Sequence, residues 1–239
     1  MPRKQIPIVW VTGASRGIGA AIARAFAESG AHVILSGRSL YALRRNAEEI
    51  RETGGRATVV RCDVESEKSV HLAFTTISKK IGRVDILVNN AGATYFKPFA
   101  KTTVKEYDHL MATNLRGVFL CIKSVLPGMV KRKKGSIINI LSVSAITTFK
   151  NSSAYAATKA GLLALSRGLR SEVRKAGVRV VDILPGAVET EMWDRDERKK
   201  YHEKMMQPED VAEIVVSIFR QPKRVLTEEI VIRPVEGDI

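Results

Sequence analysis

At 239 residues, 45% of them apolar and 27% charged, the chain has the length for one large domain and the composition of a soluble globular protein. No apolar run approaches the roughly 20 residues that cross a bilayer. Cys62 and Cys121 lack metal or redox spacing, so they read as reduced core residues of a cytoplasmic protein with no metal site.

The formal charge of +14 admits three readings: a solvated basic surface, attraction of anionic ligands such as a phosphorylated cofactor or an acidic carrier protein, and nucleic-acid binding. The basic residues are scattered apart from Lys131-Arg132-Lys133-Lys134, and no zinc, helix-turn-helix or aromatic RNA signature supports nucleic acid as a partner.

Ile6 to Val11 predicts a first strand. Met1-Pro2-Arg3-Lys4 imitates the start of a signal peptide, but the apolar run is short and leads straight into glycines. Thr12-Gly13-Ala14-Ser15-Arg16-Gly17-Ile18-Gly19 is a turn, followed by a helix over Ala20 to Glu28. Ala31 to Ser36 is a second strand, then Gly37-Arg38-Ser39 and a helix over Leu40 to Glu52 ended by Gly54-Gly55. Ala57 to Arg61 is a third strand, closed by Cys62-Asp63-Val64, and Ser66 to Ile81 a helix. Val84 to Val88 is a fourth strand, followed by Asn89-Asn90-Ala91-Gly92 and one long helical region, Thr103 to Val130. A fifth strand runs from Gly135 to Leu141, a second long helix from Ser153 to Lys175, and a sixth strand from Val178 to Leu184. The charged segment Glu189 to Lys204, a helix over Pro208 to Phe219 and a last strand over Glu229 to Arg233 complete the chain. Continuous apolar strands alternating with helices predict an α/β domain: a doubly wound, Rossmann-type parallel sheet with helices on both faces, spanning 1–239 without a linker or repeat.

In such a sheet, ligands lie beyond the C-terminal strand ends, where the polar clusters of this sequence fall. Strand, glycine turn and helix together form a layout that holds a phosphate on the helix N-terminus. The spacing is G-x-x-x-G-x-G rather than G-x-G-x-x-G, and a turn without a ligand is the competing reading. At the end of the second strand a carboxylate would bond the ribose of NAD, whereas a cation would pair with the 2′-phosphate of NADP. Gly37 and Arg38 stand there, with Arg16 in reach, which points to NADP(H); the alternative is that Arg38 caps a surface turn. Tyr155 and Lys159, four apart, share a helix face. A phenol normally titrates near pH 10, and a neighbouring ammonium would lower that value, each pH unit being worth about 1.4 kcal/mol. An exposed helix pair is the plainer reading. Ser142, at the end of the fifth strand, can bond a substrate carbonyl.

Together these segments resemble the short-chain dehydrogenases/reductases over essentially the whole chain. Thr12–Gly19 resembles their cofactor turn, Asn89–Gly92 a second signature, Asn114 an active-site asparagine, Ile138–Ser142 the serine strand, Tyr155–Lys159 the catalytic pair and Leu184–Thr190 the nicotinamide-side loop. The resemblance implies an enzyme that moves hydride between NADP(H) and a carbonyl or secondary alcohol. It implies that Tyr155 is general acid and base, Lys159 lowers its pKa and bonds the ribose, Ser142 positions the substrate oxygen and Asn114 helps hold a water. It gives the cofactor Gly13, Ser15, Arg16, Gly17, Ile18, Gly19, Arg38, Asp63, Val64, Asn90, Ala91, Gly92, Tyr155, Lys159, Val188 and Thr190. It also implies a homotetramer or homodimer.

Within the family the first two-thirds are similar to 3-oxoacyl-carrier-protein reductases, so reduction of 3-oxoacyl thioesters is the leading expectation. The carrier is expected near Lys131–Lys134, with Lys133 aligned. Leu184 replaces a common Asn, and Glu229 to Pro234 lacks a common Gly-Gly; members acting on small 3-hydroxy acids often end this way, which keeps those acids and broad ketone reduction as alternatives. A sensor that binds cofactor without turnover is a third class, disfavoured by the intact Ser142, Tyr155, Lys159 and Asn114. A short lid, about 188–207, would cover the substrate; within it Trp193 either walls the pocket or anchors the lid. His71 and His109 read as surface residues, and His202 as a lid residue.

Overall fold

The computed structural model describes residues 6–222 and 224–238; the basic start Met1 to Lys4 lies outside them. Among the described residues, seven strands form one parallel sheet: β1 (Ile8–Thr12), β2 (His32–Gly37), β3 (Arg56–Arg61), β4 (Ile86–Asn89), β5 (Gly135–Ile140), β6 (Val178–Pro185) and β7 (Glu229–Ile232), in the order β3-β2-β1-β4-β5-β6-β7. The order reverses between β1 and β4, which opens a crevice at their C-terminal ends.

Alternate side chains of the buried strands feed two cores. Val9, Val11, Val33 and Leu35 face α1 (Gly17–Glu28), α2 (Leu40–Glu52) and α8 (Pro208–Arg220). Trp10 and Ile34 face α3 (Glu67–Lys80), α5 (Gly117–Lys131) and α6 (Ser153–Val173). Each such side chain contributes about 1.5–3 kcal/mol on leaving water. Trp10, fully buried, keeps its indole N–H satisfied on Ser36 Oγ at 2.8 Å.

The expected doubly wound sheet is present, but three expected elements differ. The first helix begins at Gly17 rather than Ala20, because two of the turn's glycines already belong to its first turn. The helical region over 103–130 is not one α-helix: α4 (Val104–Met111) passes through a π turn, Ala112–Arg116, before α5. A π turn adds a residue to one helical turn and frees backbone groups locally. Directly after it, a Cβ on Gly117 would lie 3.0 Å from Val64, so the helix crosses the loop after β3 at glycine range. The stretch Val104–Lys131 is long and apolar enough by length and composition to cross a membrane, although charged residues interrupt every apolar run in it; half of its most apolar 18 residues are buried inside the protein, with Leu120, Cys121 and Val125 against the sheet. Finally, the charged segment after β6 contains a short helix, α7 (Arg195–Tyr201), with the side chain of Asp194 accepting from Asp196 N–H.

Candidate active site

The glycine turn sits at the crevice. Gly13 and Gly17 have positive φ, 66° and 54°. A Cβ on Gly13 would meet Ala91 Cα at 2.7 Å, and one on Gly19 would meet Asn90 Nδ2 at 2.3 Å. Only glycine lets this turn, the β4 loop and the start of α1 lie so close. Asn90 uses its side-chain amide to hold the turn, donating to the carbonyls of Thr12 (3.2 Å) and Gly13 (3.1 Å). Asn46, buried on α2, donates to Ala14 and Ser15 carbonyls at 3.0 Å each. Arg16, the N-cap residue of α1, makes no side-chain cap, and the first turn holds no acidic residue. The helix therefore presents uncapped N–H groups and its positive end to the crevice, the donor set a pyrophosphate requires. Thr190, after β6, reaches across: its Cγ2 would lie 3.1 Å from a Cβ on Gly17. Val188 is buried, Gly92 exposed, and Asp63 half-buried with Oδ1 accepting from Glu65 N–H at 3.1 Å; Val64 is buried beneath α5. Arg38, its side chain 70% exposed, lies 3.9 Å from Glu65 and keeps a guanidinium open to solvent. These residues fit a dinucleotide carrying an extra phosphate.

Ser142, Tyr155 and Lys159 converge. Ser142 Oγ accepts from Ser144 N–H at 3.1 Å and lies near enough to the Tyr155 phenol to favour its ionised form. Lys159 is buried, donates to Ile140 C=O at 3.0 Å, and its Nζ lies 5.7 Å from the Tyr155 ring centroid. The sequence predicts a phenol with lowered pKa. Burial instead pushes Tyr155 up to about 12, opposed only by Ser142, and pulls Lys159 down to about 8. The ammonium is aimed at a carbonyl rather than at the phenolic oxygen, so desolvation wins at both groups.

Asn114, in the π turn, has a fully engaged side chain: Oδ1 accepts from Ala93 N–H (2.8 Å), and Nδ2 donates to Ala93 C=O (2.9 Å) and Thr158 Oγ1 (3.1 Å). It ties the β4 loop to α6 beside Tyr155.

The segment 188–207 is pinched at its base, where Glu189 N–H donates to Met206 C=O (2.8 Å) and Met206 N–H to Ala187 C=O (3.1 Å). Met205 is buried and Trp193 half-buried, while Met192 and His202 are exposed.

His109 is not the plain surface residue the sequence suggests: Nδ1 shares a hydrogen bond with Tyr95 Oη (2.8 Å) and Nε2 lies 3.1 Å from Glu65, which also accepts from Thr113. Local pattern shows none of these partners, because each lies on another element. The basic run is also changed, since the Arg132 guanidinium turns inward to Val84 C=O. Asn46 did carry a signal, a polar residue among the apolar positions Leu43, Ala47 and Ile50 of one helix face.

A doubly wound sheet with a glycine turn at its crevice, and Ser142 beside the buried Tyr155 and Lys159, defines a class of oxidoreductases. The short chain dehydrogenase family profile matches residues 7–201. The sepiapterin reductase of Chlorobaculum tepidum is 37% identical, over 97% of this chain and 98% of that protein. A solved metagenomic short-chain oxidoreductase in complex with NADP is 34% identical with a TM-score of 0.85, over 96% of this chain and 97% of that one. The closed form of serine dehydrogenase complexed with NADP+ is 32% identical with a TM-score of 0.90, over 97% and 96%. This chain belongs to the short chain dehydrogenase family.

Proposed function

We propose that the protein reduces ketones with NADPH, with 3-oxoacyl thioesters as the substrate class. The carrying observation is the placement of Ser142, the buried Tyr155 phenol and the buried Lys159 together at the C-terminal end of β5, with Lys159 Nζ 5.7 Å from the Tyr155 ring centroid. A proton donor for reduction is thus loaded at neutral pH. Bound in the crevice, NADPH supplies the hydride. Arg38 and Arg16 would hold its 2′-phosphate and the N-terminus of α1 its pyrophosphate. Asp63, Val64, Asn90, Ala91 and Gly92 would border the adenosine side, and Val188 and Thr190 the nicotinamide side. Ser142 fixes the substrate oxygen, Tyr155 gives it a proton, and the Lys159 ammonium steadies the phenolate left behind. Asn114 would help hold a water that links Lys159 to solvent.

Lys131, Lys133 and Lys134 lie at the start of β5, opposite the Ser142 end and about 20 Å from it at ~3.3 Å per residue. That favours a free thioester over one held by a carrier docked on the same protomer. A homodimer or homotetramer through α5 and α6, in the cytoplasm, belongs to the same reading. Dehydrogenation of small 3-hydroxy acids is the second reading, favoured by the likeness to serine dehydrogenase.

The test is NADPH oxidation, with NADH in parallel, against a 3-oxoacyl thioester, a 3-oxo acid and a plain ketone. NADPH-dependent turnover of the thioester supports the proposal, and turnover of the 3-oxo acid alone supports the second reading. Tyr155→Phe is expected to lose about a hundredfold or more of turnover while still enhancing NADPH fluorescence; retained turnover refutes the mechanism.

A further inference from the structure

Phe96 is a large apolar residue left 53% exposed. It lies in the segment that leaves β4 without regular secondary structure, yet that segment is held at both sides. Ala93 is clamped through both backbone groups by Asn114, and Tyr95 is bonded to His109. Lys97 N–H donates to Asn151 C=O at 2.8 Å, and the Lys97 ammonium pairs with Glu106. Between these ties the Phe96 ring stands against Tyr155, centroids 5.7 Å apart and tilted by 48°. Part of the ring therefore covers the phenol while the rest faces solvent.

Asn151 is one of two non-glycine residues with positive φ among the described residues, at 65°. Asparagine tolerates this left-handed state better than other side chains. Phe149 and Ser152 bond each other across the same turn, which presents the Asn151 carbonyl to Lys97. An unfavourable backbone state is thus held where it locks the loop that carries Phe96.

We propose that Phe96 determines specificity by receiving a flat apolar substituent on the substrate's carbonyl carbon, and that Asn151 is its positioning residue. This rests on the ketone-reductase reading above and narrows its substrate class. A substrate oxygen bonded to Tyr155 and Ser142 places the carbonyl substituent beside the ring that already touches Tyr155. Aromatic rings gain from offset or edge contact beyond the area they bury.

The probes are two 3-oxo esters of equal charge: ethyl benzoylacetate, with phenyl on the ketone carbon, and ethyl acetoacetate, with methyl. The wild-type protein with NADPH is expected to favour the phenyl ester by about tenfold in kcat/KM, the size of one aromatic pairing. Phe96→Ala is expected to bring that ratio near one. The change is expected in KM for the phenyl ester. Asn151→Gly keeps the ratio, because glycine adopts the same φ, while Asn151→Val lowers it. An unchanged ratio in Phe96→Ala, or equal behaviour of the Asn151 variants, overturns the proposal.

If the wild type oxidises NADPH with neither ester, the ketone-reductase reading fails separately, and saturation-transfer NMR of ethyl benzoylacetate on the NADPH-loaded protein reads the platform. Phenyl saturation that disappears in Phe96→Ala, with an unaltered circular dichroism melting point, supports it. Saturation absent from wild type or unaltered in the variant overturns it.

Discussion

Two cations, Lys159 and Arg170, lie three turns apart on the same face of α6, and both are buried, at 5% and 4% exposure. Their surroundings differ. Arg170 donates to Asp182 Oδ2 (2.5 Å), to the carbonyls of Val180 (3.0 Å) and Glu228 (2.9 Å), and to Glu229 (3.2 Å). Asp182 is itself satisfied by Asn139 (3.0 Å) and Ser166 (2.5 Å), and Asn139 accepts from Asn89 (2.9 Å). Strand register places Asn89, Asn139, Asp182 and Glu229 in one row across four strands. Lys159 has one neutral carbonyl. A buried ion with every bond made is a structural fixture, whereas one left without a counter-charge is costly in the unliganded fold and suits a ligand that arrives later. The difference also explains the shifts. Burial raises Asp182 above the usual carboxylate range against the pull of Ser166, Asn139 and Arg170, while nothing opposes burial at Lys159.

The comparison breaks most readily at Arg170. Arg170→Met is expected to cost about 3–5 kcal/mol in denaturant unfolding, because Asp182 would stay buried and unpaired; a loss below about 1 kcal/mol would show the network to be dispensable.

Lys159→Met is expected to do the reverse in the unliganded protein. A pKa near 8 against 10.5 unfolded corresponds to roughly 3 kcal/mol of burial cost at neutral pH, less about 1 kcal/mol for the missing bond to Ile140. The variant should therefore unfold at higher denaturant at pH 7 while losing turnover. The sign is sharpened by pH. Between about pH 8 and 10.5 the unfolded chain keeps the lysine proton that the folded one has lost, so wild-type stability rises there and the gap to the variant closes. Tyr155 acts oppositely from pH 10 to about 12, where the folded phenol keeps its proton and the unfolded one does not, so stability falls. Unfolding curves from pH 7 to 10 that run parallel for the two proteins would refute the assignment.

A third cation extends the series to the surface. Arg38 is exposed and only loosely paired with Glu65, so its removal should leave stability unchanged. Arg38→Asp is expected to move the ratio of NADPH to NADH dissociation constants by about tenfold, with a dependence on ionic strength that buried pairs lack.

Much of the site was legible because its residues are local signals. Gly13, Gly17 and Gly19 announce a turn, and Tyr155 and Lys159 sit one helical turn apart. Arg38 directly follows β2, at a strand end beside the crevice. The roles of Asn90 and Asn114 were less legible: both amides are spent on the backbone of other segments, Asn90 on the turn at Thr12–Gly13 and Asn114 on Ala93. His109, read as surface, joins Tyr95 and Glu65 from two further elements.

The sequence by itself determined the alternation of strand and helix, the glycine turn and the spacing of the reactive side chains, because these depend on periodicity and on residue chemistry a few positions apart. Only the tertiary structure decided the π turn that carries Asn114, the direction of the Tyr155 and Lys159 shifts, and the approach of Phe96 to Tyr155. Each depends on which distant segments exclude water from a group or bond to it, and the physical cause, desolvation and partner geometry, exists only once the chain has folded.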